Sequence, residues 1–241
     1  MYIMLYGKNP ILESLKAGKR KLYRIFIYEG IKKDSKLKEI LYLAKEKDVK
    51  VKYVSRKQLS QLSESKNHQG IIAKAGGRSQ IGLRRILKLK NPLVLILEGI
   101  KDPRNYGSII RTAETAGVNA LVVPEKDFAP LNTDAIKAST GATEYINIIK
   151  SSNTTKTAEY LKERGFMVIG ADMDGEVPYT DIKYKGPVAV VLGGEDTGLK
   201  RITKQRCDFI VRIPVQGKVT SLNVSVSAGI ILYEIVRQRN S

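Results

Sequence analysis

Apolar positions along this chain follow two rhythms. Through the first third they recur at helical or alternating spacing among many charges. Asn9-Pro10 leads into Ile11, Leu12 and Leu15 and a stop at Gly18, which predicts a proline-started helix, with 5–8 as a short lead-in. Residues 22–28 alternate and are rich in β-formers, so they predict a strand. Leu37, Ile40, Leu41 and Ala44 give 35–47 one apolar helical face. A strand over 49–54, a short Ser55-capped helix, a polar loop over 63–69 and a strand over 70–73 complete an α/β/α module over 1–74. Residues 75–91, with Gly76, Gly77 and Gly82, read as a linker with a helical turn or two near 83–87.

From residue 92 the rhythm changes to short continuous apolar blocks. Leu93 to Leu97 and Val188 to Leu192 are of the kind found in parallel strands covered on both faces. Further strands are predicted over 120–123, 145–149, 166–171 and 208–213. They alternate with helices over 108–116, near 135–137, and over 154–164, 199–205 and 224–238, with 99–107 as a loop. Strands alternating with helices mean an α/β domain built on a parallel sheet, over 92–241. The last helix is apolar on two sides. Val224, Ala228, Ile231, Leu232 and Ile235 form one face, and Val226, Ile230, Tyr233 and Val236 the other. Ser225, Ser227 and Gly229 keep it thin, and Ser221 or Asn223 is placed to cap it. One face suits its own sheet, and the other suits a second subunit.

Charge separates the same two regions. Residues 1–90 hold 23 Lys and Arg against 7 Asp and Glu, a net +16, while the remaining 19 and 17 leave +2 of the total +18. A cationic module of this density attracts a polyphosphate or an anionic membrane surface. A lysine-rich proteome would load both regions alike. No apolar run reaches membrane-spanning length and no secretory leader is visible, so a cytoplasmic location is expected. Cys207 and His68 each stand alone, which argues against a disulfide or a metal centre.

The candidate chemistry lies in three polar loops, each at the end of a predicted strand. They are Asp102-Pro103-Arg104-Asn105-Tyr106-Gly107-Ser108-Ile109-Ile110-Arg111-Thr112-Ala113, Leu192-Gly193-Gly194-Glu195-Asp196-Thr197-Gly198-Leu199, and the stretch from Ile213 to Val226. In a parallel sheet all three share the carboxyl edge, where α/β folds bind ligands. Arg111 is either a functional cation or a surface arginine. Glu195 is a site carboxylate or a charge at a helix start, and Asn105 a site amide or a plain cap. Gly193-Gly194 lacks dinucleotide-loop spacing, and one His leaves no hydrolase triad to defend.

These three stretches resemble, in order, the three signature motifs of the SpoU (TrmH-like) RNA ribose 2′-O-methyltransferases of the SPOUT class. Leu5-Tyr6-Gly7-Lys8-Asn9-Pro10-Ile11-Leu12-Glu13-Ser14-Leu15 and Asn67-His68-Gln69-Gly70 are similar to the extension of the 23S rRNA guanosine methyltransferase subgroup, so the resemblance covers nearly the full length. It implies a deep trefoil knot in the parallel-sheet domain, a rare exception to unknotted topology. It implies S-adenosylmethionine bound in the knot by Gly193, Gly194, Ile213 and Leu222. It implies a homodimer without metal, acting on RNA bound by the basic N-terminal domain, most of all 23S rRNA. A tRNA-directed relative and a catalytically silent RNA-binding dimer are the alternatives.

Arg111 matches the family's essential arginine. A ribose 2′-hydroxyl must lose its proton as it attacks a methyl group, so the site needs a base or a local positive charge. A guanidinium scarcely deprotonates, which favours electrostatic stabilisation by Arg111. Asn105, Ser221 and Asn223 would orient the ribose and the loops, and Glu195 would hold Arg111 or a backbone N–H.

Overall fold

The computed structural model describes residues 2–63, 68–78, 81–195 and 197–241. The chain opens with β1 (Tyr2–Tyr6), α1 (Lys8–Ala17), β2 (Leu22–Tyr28), α2 (Ser35–Glu46), β3 (Lys50–Val54), α3 (Arg56–Leu62) and β4 (Ile71–Gly76). It continues through α4 (Leu83–Ile86), β5 (Leu93–Leu97), α5 (Pro103–Thr115), β6 (Ala120–Pro124) and α6 (Thr133–Ala138) to a 3-10 turn at Ala142–Glu144. Then come β7 (Asn147–Ser151), α7 (Thr154–Lys162), β8 (Met167–Ala171), β9 (Val177–Pro178), β10 (Val188–Leu192), α8 (Arg201–Arg206), β11 (Phe209–Arg212) and α9 (Val224–Arg239). Two compact units result: residues 1–79 with 131–145, and residues 80–130 with 146–241.

The first unit is a four-stranded sheet in the order β1-β4-β2-β3, in which only β2 and β3 run parallel. Leu5, Ile25, Ile27 and Ile71 face α1 and α2 and are buried with Ile11, Leu15 and Ile40. On the other face, Tyr6, Val54 and Ile72 pack under Leu59 of α3. Caps set the helix ends. The Asp34 carboxylate accepts from Leu37 N–H at 2.9 Å, and Ser55 and Gln58 form a reciprocal capping box. Gly18 closes α1 at φ 62°, a conformation that favours glycine. Of the stretch 5–8 expected to be a lead-in, Lys8 begins α1, and Leu5 and Tyr6 instead end β1, a strand that was not expected. Its Tyr, Met, Ile and Leu are apolar on both faces, so the polar–apolar contrast that marks a strand is missing. Asn9 does not cap α1; its side-chain oxygen accepts from Lys36 Nζ at 2.8 Å, and Gly7, at φ 89°, precedes the helix. A Cβ on Gly7 would lie 2.9 Å from Gln69 Oε1. The N-terminal motif and the Gln69-Gly70 turn are therefore fitted to each other; Asn67 of that motif is outside the described residues. His68 is buried and accepts from Gly70 N–H at 3.2 Å through Nδ1, and burial lowers its pKa, with Arg56 adding to the effect.

Residues 131–145 join this unit although they lie between β6 and β7. Ile136 enters the core beside α1 and α2. The fully buried Glu144 carboxylate accepts from Arg20 Nε at 2.8 Å, Arg78 donates to the Thr143 carbonyl, and Tyr145 Oη donates to Glu13 at 2.6 Å. Burial pushes the Glu144 carboxyl upward, against the opposing pull of Arg20 and Arg78.

The second unit holds a seven-stranded sheet in the order β7-β6-β5-β10-β8-β11-β9, with every pairing parallel. The α/β fold expected from the alternation is present. All five residues of β5 and of β10 are buried, as continuous apolar blocks in central strands should be. The two-residue β9, beyond β11 at the edge, is too short to leave a pattern. Helix α5 begins at Pro103, not Ser108. Asp102 caps it by accepting from Arg104 N–H at 2.8 Å, with proline in the first turn, and Gly107 is a buried helical residue rather than a break. At the end of β5, buried Glu98 accepts from the hydroxyls of Thr154 (2.6 Å) and Thr203 (3.0 Å), which ties α7 and α8 to the sheet edge. Burial pushes the nearby Cys207 thiol up to about 12, and it donates to the Thr203 carbonyl, so it behaves as a packed residue. Among the described residues no helix is long and apolar enough to cross a membrane.

Helix α9 buries Val224, Ala228, Ile231, Leu232 and Ile235. It packs on α5, where a Cβ on Gly229 would sit 3.7 Å from Thr112 Cγ2. Its second face stays open, with Val226 and Tyr233 each 49% exposed.

Candidate active site

The parallel sheet places the ends of β5, β8, β10 and β11 at one edge, and the polar loops leave from there. A pocket opens at this edge. Its wall includes Leu192, Gly193, Gly194 and Glu195 after β10, Val211 and Ile213 at β11, and Ser221 and Leu222 before α9. The four residues expected around a cofactor, Gly193, Gly194, Ile213 and Leu222, thus share one cavity. Its surface mixes aliphatic side chains with backbone and a few oxygens, the lining expected of a site for a mixed polar and apolar small molecule.

Backbone packing explains why two of these are glycines. A Cβ on Gly193 would stand 2.1 Å from the Gly198 carbonyl carbon, and one on Gly194 would stand 2.8 Å from the Gly99 carbonyl oxygen. Gly194 and Gly198 exchange backbone hydrogen bonds of 3.2 and 3.1 Å, which folds this loop back on itself. Asp196 lies outside the described residues. Any side chain at Gly193 or Gly194 would force apart loops that form the pocket wall.

The three loops are joined by side chains. Asn105 on α5 donates through Nδ2 to Glu195 Oε1 at 2.8 Å and accepts through Oδ1 from Asn223 Nδ2 at 3.1 Å. Asn223 also caps α9, accepting from Ser225 N–H at 2.9 Å. The second Glu195 oxygen accepts from Lys101 N–H at 3.4 Å. The chain Glu195–Asn105–Asn223 thus spans the loops after β5, β10 and β11. Each amide and carboxylate uses complementary donor and acceptor atoms, which fixes the Asn105 orientation without ambiguity.

Two expected residues stand apart from this chain. Arg111 is exposed on α5, and its guanidinium makes no hydrogen bond or ion pair with another described residue. It is six residues beyond Asn105, about 9 Å further along the helix axis. Of the two contacts expected of Glu195, Arg111 or a backbone N–H, the structure has the second, from Lys101 N–H, together with Asn105. Ser221 lies in the pocket wall but is not the cap of α9.

Asp172 was not foreseen. It follows β8 at the same edge and lines the pocket. Its side chain is 4% exposed, pairs with Lys204 at 2.9 Å, and accepts from Leu199 N–H at 3.1 Å. Burial alone would raise its pKa, but Lys204 and the N–H groups of Leu199 and Asp174 outweigh it and hold the carboxyl below its usual range. The reading that selected the other loops, polar residues just after a predicted strand, applies to Asp172 equally, since it follows the strand predicted over 166–171. Among the described residues no three His, Cys, Asp or Glu side chains gather as a metal site.

Comparison with known proteins points to one family. Residues 92–233 match the model of the SpoU rRNA Methylase family, and residues 4–79 match that of the RNA 2′-O ribose methyltransferase substrate binding domain. A Bacillus subtilis protein, YacO, named for the TrmH family of tRNA/rRNA methyltransferases, is 38% identical over 97% of this chain and 95% of its own. The 23S rRNA (guanosine-2′-O-)-methyltransferase RlmB of Coxiella burnetii is 36% identical over 98% of this chain and 96% of its own. A crystal structure of an RNA 2′-O ribose methyltransferase superposes with a TM-score of 0.84 at 27% identity, covering 100% of this chain and 90% of the other. With both of its units matched and relatives aligned end to end, the chain belongs to the SpoU rRNA methylase family.

Proposed function

We propose that this RNA methyltransferase methylates the ribose 2′-hydroxyl of a guanosine in 23S rRNA, with S-adenosylmethionine as donor. The observation that carries the reading is the hydrogen-bonded chain Glu195–Asn105–Asn223, which ties three loops together at the rim of one pocket. The guanosine-specific relative supports the substrate because its likeness extends through the N-terminal unit.

The pocket fits the donor. Ile213, Leu222 and the backbone of Gly193 and Gly194 would hold its adenosine, and the Glu195 carboxylate, which has no cation partner among the described residues, suits its positive charge. S-adenosylmethionine supplies a methyl group on a sulfonium, open to displacement by an oxygen nucleophile. This chain's residues must then place the ribose and stabilise charge on its oxygen. Asn105 and Asn223 set the loop geometry, and Ser221 offers a hydroxyl in the pocket wall. Arg111, uncommitted to any described carboxylate, is free to meet the developing oxyanion or the flanking phosphate. Positioning of this kind supplies much of the rate in a displacement between two bound partners. The reading includes the trefoil knot implied by the three motifs. It also includes a homodimer, supported by the open Val226–Tyr233 face of α9.

The test is to incubate the protein with S-adenosylmethionine and unmodified 23S rRNA or tRNA, then map ribose methylation nucleotide by nucleotide. A new methyl on one 23S guanosine is expected. A methyl only in tRNA would overturn the substrate, and none in either would overturn the reaction.

A further inference from the structure

We infer that the open half of the N-terminal sheet is a stacking platform for unpaired RNA bases, flanked by a cation row for the phosphates. The inference rests on the reading above only in its choice of RNA over other polyanions.

The face is defined by register. Opposite the side covered by α1 and α2, α3 covers one end over Tyr6, Val54 and Ile72, with Met4 and Phe26 half-buried beside it, and beyond them Tyr2, Arg24, Lys50 and Lys52 are exposed. There, Met4 pairs with Lys74, Lys74 with Arg24, and Arg24 with Lys50, so three cations lie side by side across three strands. Lys52 follows on β3 beside Phe26. Like charges directly opposite one another in a sheet are destabilising. No strand of this sheet contains an Asp or Glu, and α3 adds Arg56 and Lys57 without an acid. Three of the unit's acids are used elsewhere, in the pairs Lys8–Asp34, Lys16–Glu39 and Arg20–Glu144, and a fourth, Glu13, accepts from Tyr145. Arg24, Lys50, Lys52 and Lys74 have no ion pair among the described residues. The fold leaves the charge of this row without a carboxylate partner among the described residues; a polyanion would neutralise it.

Aromatic rings lie beside the cations. Tyr2, Tyr23 and Phe26 line one shallow groove with Arg24 and Lys74. Tyr2 is 58% and Tyr23 46% exposed. Tyr23 reaches this face through a register shift: Leu22 pairs with Ala75 and Arg24 with Lys74, which leaves Tyr23 as the extra residue of a bulge. Gly76, the partner of Tyr2, has no side chain, and a Cβ there would come within 3.1 Å of Tyr23 Oη. The two phenol rings therefore flank a cleared position. Lys74 Nζ lies 3.9 Å from the Tyr2 ring centroid and Lys21 Nζ 5.9 Å from that of Tyr23. Exposed rings interleaved with lysine and arginine are what base stacking with backbone contact requires, and duplex RNA hides the base faces such rings would meet.

The test uses the full-length protein, without S-adenosylmethionine, and a fluorescein-labelled single-stranded RNA of about a dozen nucleotides or the same strand annealed as a duplex. Tyr2→Ala with Tyr23→Ala should weaken single-strand binding about tenfold or more and leave duplex binding and the melting temperature unchanged. Tyr2→Phe with Tyr23→Phe should bind like wild type. Arg24→Ala with Lys74→Ala should flatten the dependence of log affinity on log salt by about 1.4, the slope of two phosphate contacts on a single strand. Wild-type affinity in the double alanine variant, equal loss on duplex, or loss in the phenylalanine variant would each overturn the platform. Wild-type methyl transfer is assayed in parallel. Its absence would overturn the proposed function while leaving the binding result to stand or fall by itself.

Discussion

Asn105 has an amide with both ends engaged, one by Glu195 and one by Asn223. Asn105→Ala would cut both links at a half-buried position outside the hydrophobic core, so stability should change little while transfer falls about a hundredfold, the cost of a small misplacement at a reacting centre. Single-turnover rates beside a thermal melt check this. Asn105→Asp should be worse still, because it sets a second carboxylate against Glu195. Arg111→Ala should abolish methylation and leave the melting temperature intact; near-normal turnover would remove Arg111 from the chemistry. Asp172 makes a prediction in pH. Its folded pKa lies below its ordinary value near 3.8, so it contributes stability above that value, and the contribution is lost as pH falls through the lower folded value. Asp172→Asn should flatten the acid limb of a stability–pH profile, measured by urea unfolding, and leave a wild-type slope only if Lys204 and Leu199 do not engage it in solution.

Among the elements, α9 shows most clearly what a pattern can and cannot say. Its two apolar faces are legible from spacing, and the structure buries one and leaves Val226 and Tyr233 half exposed. The thinness of Gly229 serves an approach to α5 within the same chain. A dimer through the open face predicts that Val226→Asp with Tyr233→Asp gives a folded monomer by sedimentation equilibrium; a wild-type mass would place the partner elsewhere. Other elements hid for physical reasons. The β1 strand is apolar on both faces, β9 has two residues, and the first turn of α5 was masked by a glycine that packs inside the helix. The pocket loops were legible because each is a polar, glycine-containing stretch directly after a predicted strand. The hydrogen bonds among them were not, because Glu195 and Asn105 are 90 residues apart and only the folded sheet sets their distance.

At the scale of the whole molecule, the basic first third cannot be treated as residues 1–74 alone. Glu144 comes from a later part of the chain, and its partner Arg20 is only 7% exposed. Glu144→Gln should cost about 3 kcal/mol by leaving Arg20 buried and unpaired, whereas Arg20→Met with Glu144→Leu should recover most of it. Urea unfolding of the three proteins checks this, and additive losses would refute the pairing. Charge patterning made the basic region visible; the recruitment of 131–145 leaves no mark, since Ile136 and Glu144 read as ordinary members of a βα alternation.

That recruitment sets an order of events at the ribosome. A nascent chain folds from its N-terminus as it emerges. Residues 1–79 leave the exit tunnel carrying Arg20 and Arg78 without Glu144, and with the space for Ile136 empty. The N-terminal unit cannot close until residue 145 has emerged from the tunnel, by which time β5 and β6 are already outside. Its maturation is thereby timed to the synthesis of the neighbouring unit, and premature release of the chain before residue 145 should yield a fragment with an open core and an unneutralised cationic interior.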